Sequence, residues 1–416
     1  MRLSMTPKLT HTEYLGVSRF KVLDGLRAIA ILLVFVSHPA YPHVWERFHG
    51  ASGVTLFFVL SGFLITTLLL REETRDGRPS FTSFYIRRIF RIYPMFFAVF
   101  LFYVVLILVL GMQASRRDLF VENIPYTIFL FPEHMIFFAS GDAFAPFVGA
   151  WSIGIEEKFY LVWPFLGFVL LANVRRARVP VLAALAVTFF VVGLTVPSLS
   201  YLEPYQHLAY GALVAVLLHE GRSYRWLSGL GRPPVLLAIA TVVVIVQFSS
   251  DQIHPMGDLY GVSGELYTLL LAGVVTTGST WVRWLGSRPL VFIAAISYVL
   301  YLIHNFFINA AEAVVPIEWG FAGSLLSTSA AFALAVPASY LVHRFFEEPL
   351  RKYGVTLSRR TRRTPRAAVR PEVAPTGDAT DAEGPGGGSR DVDPLPEPRS
   401  GTAAKSQVKE LDQLAP

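Results

Sequence analysis

The chain is 416 residues long, 53% hydrophobic and only 16% charged, with a mean hydropathy of +0.49. Soluble domains carry about 25% charged residues, so this composition excludes an ordinary soluble globular protein and points to a polytopic membrane protein. The formal charge of +6 and isoelectric point near 9.4 invite a nucleic-acid reading that the positions of Lys and Arg remove, and the lack of Cys excludes disulfides, thiolate metal sites and cysteine nucleophiles.

Taken in chain order, about ten apolar runs approach membrane-spanning length: 22–42, 52–70, 84–110, 151–172, 181–197, 204–219, 233–249, 263–279, 289–311 and 321–345. A cleavable signal peptide is not expected, because Arg27 lies inside the first run, no small-x-small site follows it, and further runs come after. If the N-terminus is cytoplasmic, the inner loops carry Arg71, Arg75 and Arg78, then Arg175, Arg176 and Arg178, then Arg222, Arg225 and Arg232, then Arg283 and Arg288. The outer connections hold only Arg47, Arg116 and Arg117. That asymmetry predicts cytoplasmic termini and accounts for the excess positive charge without nucleic acid. The expected fold is therefore an all-α, multi-pass helix bundle of about ten transmembrane helices.

The longest outer connection, 111–150, contains an apolar patch broken by Pro125 and Pro132, which reads as a re-entrant or interfacial piece. His343, Glu347 and Glu348 are expected to end the last span at Pro349. Composition then changes, dividing the chain into a membrane domain, 1–350, and a disordered cytoplasmic tail, 351–416. The tail is basic at first and then rich in Pro, Gly, Ala, Asp and Glu. Its basic start is expected to lie against anionic lipid.

Ionisable groups inside spans are costly and usually face a protein interior. Arg27 and His38 are 11 positions apart in the first run. On a helix that is three turns plus about 20°, so both share one face at roughly 16 Å separation. The plainer reading makes Arg27 a snorkelling anchor and His38 a polar helix end before Pro39. In FYIRRIFRIYP, Arg88 and Arg91 share a face at the inner start of the third span, where two guanidiniums suit phosphate groups. Ordinary inner-side flanking is the alternative. Glu156 and Glu157, in WSIGIEEKFYLVWP, sit near the outer boundary at the depth of His38, and Lys158 could neutralise one of them. Ser61 and Gly62 fall mid-span and could be a small-residue helix contact. Tyr298, Tyr301, His304 and Asn305 lie on the ninth run, where a lone histidine is more often a packing group than a catalyst. No nucleophile elbow, P-loop or zinc-protease motif is present.

These pieces occur together in one family. The sequence resembles the acyltransferase-3 family of integral membrane acyltransferases, whose members O-acylate bacterial surface sugars and antibiotics such as macrolides. The resemblance covers about residues 20–350. It rests on the R-x10-H pair Arg27 and His38 within LDGLRAIAILLVFVSH, on FFVLSGFLI, and on the R-x-x-R pair Arg88 and Arg91. It rests also on the W-S-x-x-x-E-x-x-F-Y-L signature carried by Trp151, Ser152, Glu156, Phe159, Tyr160 and Leu161. YLIHN and FEEPLRK are similar with less specificity.

The resemblance implies a bacterial cytoplasmic-membrane enzyme with acyl-CoA, acetyl-CoA in the first instance, as co-substrate. The acceptor would be a carbohydrate, glycoside or macrolide-type hydroxyl, and no metal is required. Arg27, Arg88 and Arg91 would hold the CoA phosphates. His38 would act as general base, or carry the acyl group, with Glu156 orienting it or the acceptor. Ser61, Trp151, Glu157, Tyr298 and His304 are further substrate-contact candidates. Some relatives append an SGNH-type domain; none is read here, so transfer is expected to finish in the membrane domain or on a separate extracytoplasmic transferase. Two rivals remain: a transporter or flippase of a lipid-linked sugar, and a membrane acyltransferase centred on His304 beside Asn305.

Overall fold

The computed structural model describes residues 8–38, 48–134, 146–253, 260–316 and 319–361. Among the described residues there are helices and turns but no strand. This is the architecture that backbone hydrogen bonding demands of a single chain whose segments must be satisfied within lipid.

After a short helix α1 (His11–Gly16), α2 (Lys21–Val36) ends at Ser37, whose hydroxyl donates to the Val34 carbonyl at 2.8 Å. Helix α3 (Ser52–Asp76) stops where Gly77 takes φ +78°, the left-handed conformation that closes many helices. Helix α4 (Phe81–Val104) runs on through a π-helical turn, Val105–Val109. The connection that follows contains α5 (Arg117–Ile128), whose 12 residues are too few to cross a bilayer. The remaining helices are α6 (Trp151–Phe165), α7 (Arg178–Thr195), α8 (Glu203–His219), α9 (Gly221–Leu227), α10 (Pro233–Ile253), α11 (Tyr260–Thr276), α12 (Arg288–Glu312), α13 (Gly320–Val342) and α14 (Glu348–Thr361). Each of the ten predicted apolar runs contains one of these helices. Among the described residues, five stretches are individually long and apolar enough to cross a membrane, or six if the bent pair Gly221–Gly231 and Pro233–Phe248 counts as one span.

Helix α3 is the hub. Its most apolar 18-residue window is 94% buried within the protein, and it packs against α2, α6, α8 and α11. The α3–α8 contact is the tightest because two glycines interlock. A Cβ on Gly62 would lie 2.0 Å from the Leu208 carbonyl oxygen, and one on Gly211 would lie 2.0 Å from that of Val59. Backbones can approach this closely only where side chains are absent. A second group joins α12 to α2 and α13.

At the C-terminal end of α3, two acidic residues that sequence reasoning did not single out are buried and paired. Glu72 accepts from Arg87 of α4 at 3.0 Å, and Glu73 takes a two-pronged contact from Arg178 of α7 at 2.7 and 2.8 Å. Buried carboxylates persist only when so compensated.

Two sequence expectations need correction at the C-terminal end. The chain does not stop its helix at Pro349. A π-helical turn, His343–Glu347, absorbs the change of register, and Pro349 sits in the first turn of α14, where its missing N–H costs nothing. Nor does disorder begin at 351. Helix α14 continues to Thr361 and packs along α4, with Gly354 against the Phe90 side chain and Tyr353 5.2 Å from the Phe90 ring. Apolar content, the criterion behind the boundary, is blind to docking through a glycine. Positions 362–416, the rest of the predicted tail, lie outside the described residues.

Candidate active site

Five helices converge on one cavity. Helix α2 contributes Arg27, α3 Ser61, and α4 Arg88 and Arg91. Helix α6 contributes Ser152, Glu156 and Tyr160, which recur every four residues and so share a face, and α12 contributes Tyr298 and Tyr301. Glu156 is fixed on both oxygens: the Tyr160 hydroxyl donates at 2.6 Å and the Ser61 hydroxyl at 3.1 Å. The Arg88 guanidinium lies over the Tyr160 ring, 5.0 Å from its centroid. Tyr298 is locked by donation to the Ile92 carbonyl at 2.8 Å, and the Tyr301 and Ser152 hydroxyls share a hydrogen bond of 2.6 Å.

Three guanidiniums face one carboxylate across this space, in surroundings where charge is poorly screened. The wall therefore suits an anion with several oxygens, as phosphate groups present. The third arginine of the same helical turn is diverted. Arg87 is spent on Glu72 and on the Ser83 hydroxyl, the latter at 2.7 Å. Among the described residues, no group of three or more His, Asp or Glu side chains is placed to hold a metal ion.

His38 follows α2 and is exposed, whereas His304 of α12 is fully buried; their rings meet edge-to-face with centroids 4.6 Å apart. The Nδ1 of His38 lies 2.8 Å from the Val34 carbonyl and that of His304 lies 2.6 Å from the Tyr301 carbonyl. A carbonyl can only accept, so each Nδ1 carries the proton and each Nε2 presents a lone pair. That is the tautomer a general base requires. The Tyr301 side chain lines the cavity while its carbonyl holds His304, which joins the histidine pair to the arginine-lined space.

A model of the acyltransferase-3 domain family matches residues 20–344. The chain belongs to the acyltransferase-3 family. Among curated relatives of this acyltransferase-3 protein, the "Putative O-acetyltransferase SACOL0978" of Staphylococcus aureus is 27% identical over 380 residues, covering 83% of this chain and 59% of the relative. The "Peptidoglycan O-acetyltransferase OatA" of Listeria monocytogenes is 28% identical over 372 residues, covering 80% and 56%. The "Putative peptidoglycan O-acetyltransferase YrhL" of Bacillus subtilis is 29% identical over 361 residues, covering 80% and 55%. The chain thus spans a little over half the length of these relatives. No solved structure matches it.

Within the acyltransferase-3 fold, Arg27, Ser61, Arg88, Arg91, Glu156 and Tyr298 all line the one cavity. The other site residues read from sequence fall elsewhere. Glu157 points off the cavity and accepts from the Tyr93 hydroxyl at 2.9 Å, and Trp151 packs 6.0 Å from the Phe58 ring. Lys158 neutralises neither adjacent glutamate; it turns to Glu133, in the connection after α5. Glu156 is not what orients His38, since its partners are Ser61 and Tyr160 and the imidazole is held by its own helix. Tyr160, Ser152 and Ser297 are cavity residues that the site assignment from sequence left out. The first two stood at four-residue steps from Glu156, a signal that was available.

Proposed function

We propose that this protein moves an acyl group, acetyl in the first instance, from acyl-CoA to a hydroxyl of a cell-envelope carbohydrate. The observation that carries the reading is the convergence of Arg27, Arg88 and Arg91 on one cavity, one of whose lining residues, Tyr301, holds His304 of the edge-to-face histidine pair through its carbonyl. The guanidiniums bind the donor's phosphates. The His38 Nε2 takes the proton of the acceptor hydroxyl as that oxygen bonds to the thioester carbonyl carbon. The C–S bond breaks, and the CoA thiolate leaves and is reprotonated. Glu156, Tyr160 and Ser61 form a polar bracket that orients substrate in the cavity rather than orienting His38. The names of the relatives favour a sugar acceptor over a macrolide.

We further infer that all ten apolar helices cross a bacterial cytoplasmic membrane with both termini on its inner side, as the arginine distribution supports. That places the arginine cluster near the cytoplasm and His38 toward the outer half. The test is transfer of labelled acetyl from acetyl-CoA to soluble chito-oligosaccharides by protein reconstituted in nanodiscs. His38→Ala should lower the rate by roughly 10²- to 10⁴-fold, the usual yield of a positioned base, with thermal unfolding unchanged. Full activity in that variant would remove His38 from the chemistry. Sugar flux without dependence on acyl-CoA would favour a transporter.

A further inference from the structure

The outer connection builds a second hollow, remote in character from the arginine-lined cavity. It is an open depression lined by Pro125, Tyr126, Phe129, Phe131, Glu133 and His134. Its walls are aromatic and outward-facing, Phe129 being 74% and Phe131 52% exposed. Tyr126 and His134 are stacked nearly parallel, with centroids 3.7 Å apart and planes 7° apart. The turn that sets these rings is tightly defined: the Phe131 N–H donates to the Tyr126 carbonyl at 2.7 Å while Leu130 takes φ +61°.

One carboxylate is built into this apolar surface. Glu133 is only 6% exposed and pairs through one oxygen with Lys158, whose ammonium also lies 4.0 Å from the Phe131 ring centroid and donates to the Leu130 carbonyl at 2.9 Å. Its second oxygen, Oε2, is buried and has no hydrogen-bond partner among the described residues. Gly154 makes the arrangement possible, because a Cβ there would lie 2.3 Å from Glu133 Oε2 and 2.8 Å from the Pro132 ring. A buried acceptor left unsatisfied costs about 1–3 kcal/mol, so a ligand that brings a donor is favoured.

We propose that this hollow is a second subsite for the acceptor glycan, holding a sugar ring distant from the one acylated. Flat aromatic faces offer apolar contact to the C–H face of a sugar ring, and the Glu133 oxygen accepts from one of its hydroxyls. A lipid tail would match the rings but bring no donor to the carboxylate. The polyanionic donor fits the arginine-lined cavity, not a hollow whose one lining carboxylate would repel it.

Helix α6 fixes the relation of the two sites. At 100° per residue, Ser152 and Glu156 lie about 40° apart on one face, and Gly154 and Lys158 lie on the opposite face. The helix is about 10–12 Å thick with its side chains, so only a strand of several sugars touches both sites. The inference rests on the carbohydrate-acceptor reading and adds a preference for polymer over short sugars.

The experiment measures acceptor KM for β-1,4-linked N-acetylglucosamine oligomers of increasing length, using full-length protein in nanodiscs. Wild type should favour the tetrasaccharide over the disaccharide by about tenfold, and Phe129→Ala and Glu133→Gln should each shrink that ratio to within about twofold. Phe129 is so exposed that its truncation tests the surface without emptying a core. A length preference unchanged in both variants overturns the subsite alone, as does a wild type that acylates all lengths equally. No transfer to any saccharide by wild type overturns the acceptor reading and the subsite with it.

Discussion

Arg87, Arg88 and Arg91 occupy little more than one turn of α4, yet their surroundings predict different phenotypes. Arg87→Ala would leave the Glu72 carboxylate buried without the guanidinium now 3.0 Å away, in a pair whose side chains are 5% and 2% exposed. Breaking one side of such a pair costs about 3–5 kcal/mol, because solvent cannot replace the lost partner. The effect should appear as a clear drop in the thermal midpoint of the nanodisc-embedded protein. Arg91→Ala instead removes a charge from the cavity wall. A hydrogen bond to a charged group contributes about 1.5–3 kcal/mol, so the Kd for a non-reactive acyl-CoA analogue should rise roughly 10- to 150-fold, with a flatter salt dependence. Arg88→Ala should resemble Arg91→Ala and add the loss of its contact with the Tyr160 ring. Unfolding and calorimetric donor binding measured on the same preparations separate the effects. If Arg91→Ala binds the analogue like wild type, or Arg87→Ala weakens binding at an unchanged midpoint, the assignment of the cavity to the donor is wrong.

His304→Ala should lower kcat by up to about 100-fold by freeing the His38 ring, with donor Kd unaltered; a shift in donor Kd would place His304 on the donor instead. Gly62→Val would drive a side chain into the Leu208 backbone, which cannot yield, costing about 1–3 kcal/mol and disturbing the Ser61–Glu156 contact. Gly229→Ala, with nothing within 4 Å of its new Cβ, is the neutral control in the same unfolding assay. At the N-terminus, the Thr10 N–H and hydroxyl hold the Glu13 carboxyl below its ordinary value of 4.5. A depressed carboxyl stabilises the fold above the unfolded value and loses that contribution as pH falls through the lowered one. The protection factors of the α1 amides, taken relative to intrinsic exchange at each pH, should therefore fall in acid, and this acid sensitivity should shrink in Thr10→Ala.

What was legible in the sequence was whatever a single helix displays. Arg88 and Arg91 could be paired by their three-residue step, and Arg27 could be aligned with His38, because helical geometry alone fixes those relations; that Arg87, four residues before Arg91, turns to Glu72 was not legible there. Contacts between helices were not legible. Nothing in the spacing of His38 and His304 announces that two candidate bases, offered as rivals, share an edge-to-face contact at 4.6 Å. Nor could adjacency reveal that Lys158 would reach back 25 positions to Glu133 rather than to Glu156 or Glu157. Helix α14 escaped notice for a different reason. A helix that docks through Gly354 and Ser358 buries too little apolar surface to be seen by hydropathy.

The enclosure of α3 bears on how the chain is made. Its principal neighbour, α8, is translated more than a hundred residues later, so α3 must first be delivered into the bilayer as a lipid-surrounded helix. Its window hydropathy of 2.2 meets the demands of that delivery, although the finished helix sees almost no lipid. The glycines that later admit α8 are, during this interval, an unfilled groove. A truncated chain ending before residue 203 should consequently insert α3 and yet leave it open to membrane chaperones and quality-control proteases, until synthesis of α8 closes the groove.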